Sequence, residues 1–188
     1  MSLYSTSAGY DPDGDKQRSV NTVGPRWVGT ALCLLAWLAA GSASTPATAW
    51  LALVAVLVAA TLQLQALNRL YGLRAKFGRA PKSLYLLYFL PTSMLTAWLT
   101  LVISCTGLAA MTVTVDTKDL DVAAVVFMAV MVGAGAFMLV HHRDTVFGLT
   151  LIWAFVGVYE AAKDRGAEHS VQYAALGSVV LVTILCLV

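Results

Sequence analysis

The sequence predicts an all-α protein: a polytopic bundle of transmembrane helices with six spans. Three observations predict it. Hydrophobic residues make up 59% of the 188 residues and charged residues only 12%, against roughly 25% charged in an ordinary soluble domain. The charge is confined to short stretches, and the apolar runs between them approach or exceed the about 20 residues that a helix needs to cross a bilayer. None of those runs alternates as a barrel strand would, and a backbone in lipid must satisfy its own hydrogen bonds, so helices remain.

Residues 1–25 are polar, with Gly9, Pro12, Gly14, Gly24 and the acidic Asp11, Asp13 and Asp15. They read as a mobile amino-terminal tail, ahead of a bundle over 26–188. The first run, about 27–44, is short for a span and carries ALCLLAWLAA at its centre. Its end, Gly41-Ser42-Ala43-Ser44, looks like a signal-peptidase site, so a cleaved signal is one alternative. Merging this run into the tail gives the other, a bundle of five spans. The second run, about 46–67, opens on Pro46, whose missing N–H costs nothing in a first helical turn. The third, about 84–112, exceeds one span and is expected to break at Pro91, leaving LYLLYFL at the interface. The fourth covers about 121–141. The fifth covers about 145–161, with Asp144 placed to cap its start. The sixth, about 171–188, ends the chain.

Charge sets an expected orientation. With six spans and the amino terminus inside, one side holds Lys16, Arg18, Arg26, the cluster Arg69, Arg74, Lys76, Arg79 and Lys82, and Arg143. The other side holds Lys118, Lys163 and Arg165. All twelve basic residues thus divide nine against three, and the richer side should be cytoplasmic or the inner side of an organelle. The cluster reads as a loop that fixes topology and meets anionic lipid headgroups, at about 1 kcal/mol per basic residue. A net charge of +2 gives no reason to expect a nucleic-acid partner. Membrane lipids are the expected surroundings.

The chemistry is sparse. No Asp, Glu, Lys or Arg falls in mid-membrane, which argues against a pump, a proton-coupled transporter or a voltage-gated channel. Cys33, Cys105 and Cys186 lie in apolar runs without metal spacing and read as small hydrophobes. His141 and His142 are adjacent at an inner helix end, while His169 falls on the other side, so a bis-histidine haem site and a metal site are not expected. Gly133-Ala134-Gly135-Ala136 lacks the third glycine of a dinucleotide loop and the strand before it. Ala129 and Gly133 form a small-xxx-small pair suited to close helix packing. Without GxSxG, HExxH or a Walker motif, no catalytic residue and no enzyme are expected. Leu67–Tyr71–Arg74 and Val156–Tyr159–Lys163 match a loose cholesterol pattern, as a chain this rich in Leu and Val would by chance. Trp27 and Trp50 sit at span ends, whereas Trp37, Trp98 and Trp153 sit within spans.

Two segments resemble the TspO/MBR family of tryptophan-rich sensory proteins, also called peripheral-benzodiazepine-receptor-like. In HHRDTVFGLTLIWAFVGVYE, from His141 to Glu160, Arg143 and Asp144 precede a helix with Trp153, Ala154 and Gly157. In LPTSMLTAWLTLVISCTGLAA, from Leu90 to Ala110, Pro91, Ser93 and Trp98 stand in matching places. The resemblance spans about residues 50–188. Residues 1–45 show no counterpart of the family's amino-terminal proline- and tryptophan-containing helix, and six spans exceed the typical five. The resemblance implies a hydrophobic ligand (a tetrapyrrole, a sterol or a lipid) held among helices, with Trp98 and Trp153 carried over as contacts. The second reading is a structural or accessory subunit of a larger membrane complex; a homodimer is a separate association left open.

Overall fold

The computed structural model describes residues 15–42, 45–77, 85–112, 117–164 and 169–187. Helix α1 is Asp15–Gly41, α2 Pro46–Phe77, α3 Leu90–Met111, α4 Thr117–His142, α5 Thr145–Asp164 and α6 His169–Leu187. Six helices among the described residues are long and apolar enough to cross a membrane, the first from Val23 to Gly41. The six-span reading therefore holds over the five-span one.

Three local features differ from the sequence reading. Helical backbone begins at Asp15, inside the stretch read as a tail, and passes through Pro25. The cluster read as a loop is helical as far as Phe77. Arg69 is thus an exposed residue on the last turns of α2, where a long basic side chain can reach headgroups while its stem covers apolar surface. Arg74 and Lys76 share that helix, although their side chains lie outside the described set, as do Arg79 and Lys82 entirely. The expected break at Pro91 is a π-helical turn, Tyr85–Phe89, that runs directly into α3. Phe89 keeps right-handed helical backbone (φ −66°, ψ −53°). Proline removes one helical hydrogen bond and crowds the carbonyl four residues earlier, and a wider π turn relieves both.

The helices run alternately up and down. Helix α3 is the central one, with 44% of its span window buried, and it packs against α2, α4 and α5. Helix α1 lies mainly on α2, with 11% of its window buried. Helix α6 closes the other side against α4 and α5. Large apolar residues such as Val140, Leu149 and Ile184 are exposed, as expected where lipid is the solvent.

Close approaches occur at Gly135 and Gly148 rather than at the Ala129–Gly133 pair. A Cβ on Gly135 would meet Leu151 at 2.7 Å, and one on Gly148 would meet Cys186 at 2.6 Å. Gly133 has nothing within 4 Å of that position, and Ala129 is exposed. The expectation that the latter pair packs inside this bundle is therefore corrected.

Polar groups join helices, as they must where apolar faces gain little from leaving lipid. Thr30 on α1 meets Gln63 on α2, hydroxyl to amide oxygen, at 3.3 Å. The indole N–H of Trp27 donates to Thr92 of α3 at 3.2 Å, and that of Trp37 donates to Thr106 at 3.0 Å.

Candidate functional site

The two tryptophans singled out by sequence line one groove. Leu90, Pro91, Met94, Leu95 and Trp98 from α3 face Val146, Leu149, Thr150 and Trp153 from α5 around about 630 Å³. On α3 the spacing 91, 94, 95, 98 is one helical face, and on α5 so is 146, 149, 150, 153. Trp98 is half-buried and meets Trp37 edge-on, with ring centroids 6.4 Å apart. Trp153 is 69% exposed, so the groove opens sideways toward lipid. Its one hydroxyl, on Thr150, already donates to the Val146 carbonyl at 2.9 Å. Apart from the two indole N–H groups, the lining is therefore apolar and aromatic.

Just before the α5 wall begins, a cluster is built on Asp144, which is 1% exposed. Its Oδ1 accepts the Phe147 backbone N–H at 3.1 Å, the capping role expected from sequence. Its Oδ2 accepts two hydroxyls, Ser93 of α3 at 2.6 Å and Tyr71 of α2 at 2.5 Å. The Tyr71 ring stacks on His142 of α4 at 3.9 Å and 5°. Helix α4 ends just before, with Arg143 at φ 52°. The Arg143 N–H bonds the Leu139 carbonyl at 3.0 Å and the Asp144 N–H bonds the Met138 carbonyl at 3.2 Å. The first of these is the single bond by which a helix commonly ends on a left-handed residue.

These contacts revise several sequence readings. Leu67 and Tyr71 are buried in the bundle, so that cholesterol-like stretch does not face lipid. His142 is a stacking partner of Tyr71, and His141 stacks on Phe137 at 5.3 Å. His169 begins α6 and lies against Tyr173, one turn further along the same helix, at 6.0 Å. No group of three His, Cys, Asp or Glu residues that could hold a metal occurs among the described residues. Sequence reasoning missed Tyr71 and the joining role of Ser93. It also missed a second cavity of about 660 Å³ at the opposite end, between the α1–α2 connection and α3, bordered by Trp37, Thr48 and Thr106.

Six helices long and apolar enough to cross a membrane, packed into one bundle, define an integral multi-pass membrane protein. The sequence profile of the TSPO-like protein family matches residues 2–188, and the chain belongs to that family. The match takes in the amino-terminal region, where residues 1–45 had shown no counterpart of the family helix. Pro25 and Trp27 stand there within α1, and Trp27 was the available signal. Comparison with curated proteins and with solved structures returns no match.

Proposed function

We propose that this TSPO-like membrane protein holds a hydrophobic ligand, without catalysis, in the groove between α3 and α5. The observation that carries the reading is the convergence of Trp98 and Trp153 on one apolar space of about 630 Å³, within the range of small-molecule sites. A tetrapyrrole, a sterol or a lipid chain would each suit walls of this kind. The basic residues at the end of α2 and beyond would hold that end at anionic headgroups, on the cytoplasmic or organelle-inner side.

Titration of the purified protein with a porphyrin and with a fluorescent sterol, followed by tryptophan emission, tests the reading. Saturable quenching that weakens in Trp98→Phe and Trp153→Phe is expected. Absence of saturation with both probes would sink it.

A second reading, an accessory subunit or homodimer, is favoured by the exposed small pair Ala129 and Gly133 on α4, a surface suited to another helix. Native mass after mild extraction tests it. A stable monomer would count against both forms, and a homodimer against a larger complex.

A further inference from the structure

The groove and the Asp144 cluster share the same two helices. Ser93 lies between Pro91 and Met94, two residues of the α3 wall. Asp144 immediately precedes α5 and caps it, and the α5 wall begins at Val146. The Ser93 hydroxyl and the Asp144 carboxylate meet at 2.6 Å. The two helices that supply the walls are therefore joined by one short hydrogen bond between buried side chains that lie outside the groove's lining.

We infer that the Ser93–Asp144 contact sets the spacing of α3 and α5, making Asp144 and Ser93 positioning residues that decide which ligand widths the groove admits. The ligand part of this inference rests on the reading above; the spacing part does not.

Three physical points support it. One carboxyl oxygen of Asp144 takes the Ser93 and Tyr71 hydroxyls at 2.6 and 2.5 Å, both short contacts. Ser93 is fully buried and Asp144 nearly so, so neither can exchange this partner for water, and breaking the contact strands a polar group. Farther along, the groove offers no competing polar contact between its walls, because the Thr150 hydroxyl turns back onto its own helix. The carboxylate also carries Tyr71 of α2, and through that ring His142 of α4. The spacing is thereby referred to the rest of the bundle rather than to two helices alone. The same burial shows that the cluster is a joint and not a reactive centre: no substrate atom can reach Ser93.

The test uses the full chain in lipid nanodiscs. Nitroxide labels replace Leu86 and Val156, both exposed and outside the groove, in a background with the three cysteines changed to alanine. The distance distribution is compared for the parent, Ser93→Ala and Asp144→Asn. Ser93→Ala leaves the α5 cap intact, and asparagine still caps a helix, so these variants should fold even where Asp144→Ala does not.

A longer and broader distribution is expected in Ser93→Ala. In parallel, affinities for a broad planar porphyrin and for a slender fluorescent fatty acid are measured. Their ratio should move toward the porphyrin as the groove widens. An unchanged distribution in folded Ser93→Ala and Asp144→Asn overturns the inference, whatever binds. A changed distribution with an unchanged ratio overturns the claim of ligand selection. A changed distribution in the variants of a parent that binds neither these probes nor the fluorescent sterol upholds the spacing role and defeats the proposed function instead.

Discussion

Helices α3 and α5 are joined along their length by two opposite kinds of surface. At one end a buried carboxylate gathers Ser93, Tyr71 and the Phe147 N–H. Beside it, one face of the two helices is apolar and lines a groove of about 630 Å³. The difference teaches how a bundle in lipid can be firm and still hold space. Apolar helix faces gain little from meeting each other when lipid tails are equally apolar. Hydrogen bonds then decide where helices must touch, and the stretches without them are free to stay open.

The largest expected effect comes from breaking the polar end. Asp144→Ala removes the α5 cap and leaves two buried hydroxyls without their acceptor. A lost cap is worth about 1 kcal/mol, and each buried hydroxyl left without its acceptor costs about 1–3 kcal/mol. A loss of at least about 3 kcal/mol is expected, read as resistance to unfolding in mixed micelles. Asp144→Asn keeps the cap and should lose clearly less. Equal losses in the two variants would mean that the cap contributes nothing and only the charged contacts count.

The apolar stretch should respond differently at its two tryptophans. Trp98 is half-buried and touches Trp37, so Trp98→Ala should lower both stability and ligand affinity. The stability loss should fall below the about 3–5 kcal/mol of a fully buried aromatic. Trp153 is mostly exposed, so Trp153→Ala should lower affinity and leave the melting midpoint nearly unchanged. A large melting shift in Trp153→Ala would mean that α5 packs there against something other than lipid.

Glycines of α4 sharpen the contrast between touching and open surfaces. Gly135→Ala drives a Cβ to 2.7 Å from the Leu151 side chain, and overpacking of this kind typically costs about 1–3 kcal/mol. Gly133→Ala meets nothing within 4 Å and should gain up to about 1 kcal/mol from helix propensity. If Gly133→Ala instead weakened a dimer seen in native mass, the exposed pair would be an interface between chains.

The bundle itself was legible because length, apolarity and the placement of charge are one-dimensional properties. Asp144 as a cap was legible for the same reason, since a cap acts within its own helix. Trp98 and Trp153 were found through two short segments whose order and spacing match a family. The partners of the Asp144 carboxylate were not legible. Ser93 and Tyr71 lie 51 and 73 residues away, and only the stacking of four helices brings them together. The choice of Gly135 over Gly133 was hidden for another reason. In a helix that is apolar on every side, the 3.6-residue period no longer separates the face toward neighbours from the face toward lipid.

The smallest effect lies in the two-residue turn that delivers Asp144. Arg143 has φ 52°, a left-handed conformation that costs a residue with a Cβ roughly 1–2 kcal/mol. Glycine adopts it freely, so Arg143→Gly should raise stability by about 1 kcal/mol. Arg143→Ala keeps the Cβ and should not. The pair separates the backbone from the charge, because both variants lose the guanidinium. If the two melt alike, the left-handed turn is already offset by the Leu139 and Met138 carbonyl bonds that end α4. The position would then matter only for its charge. If glycine alone stabilises, the chain tolerates strain at the residue beside its polar joint, and the joint's grip on α3 and α5 is what makes that strain tolerable.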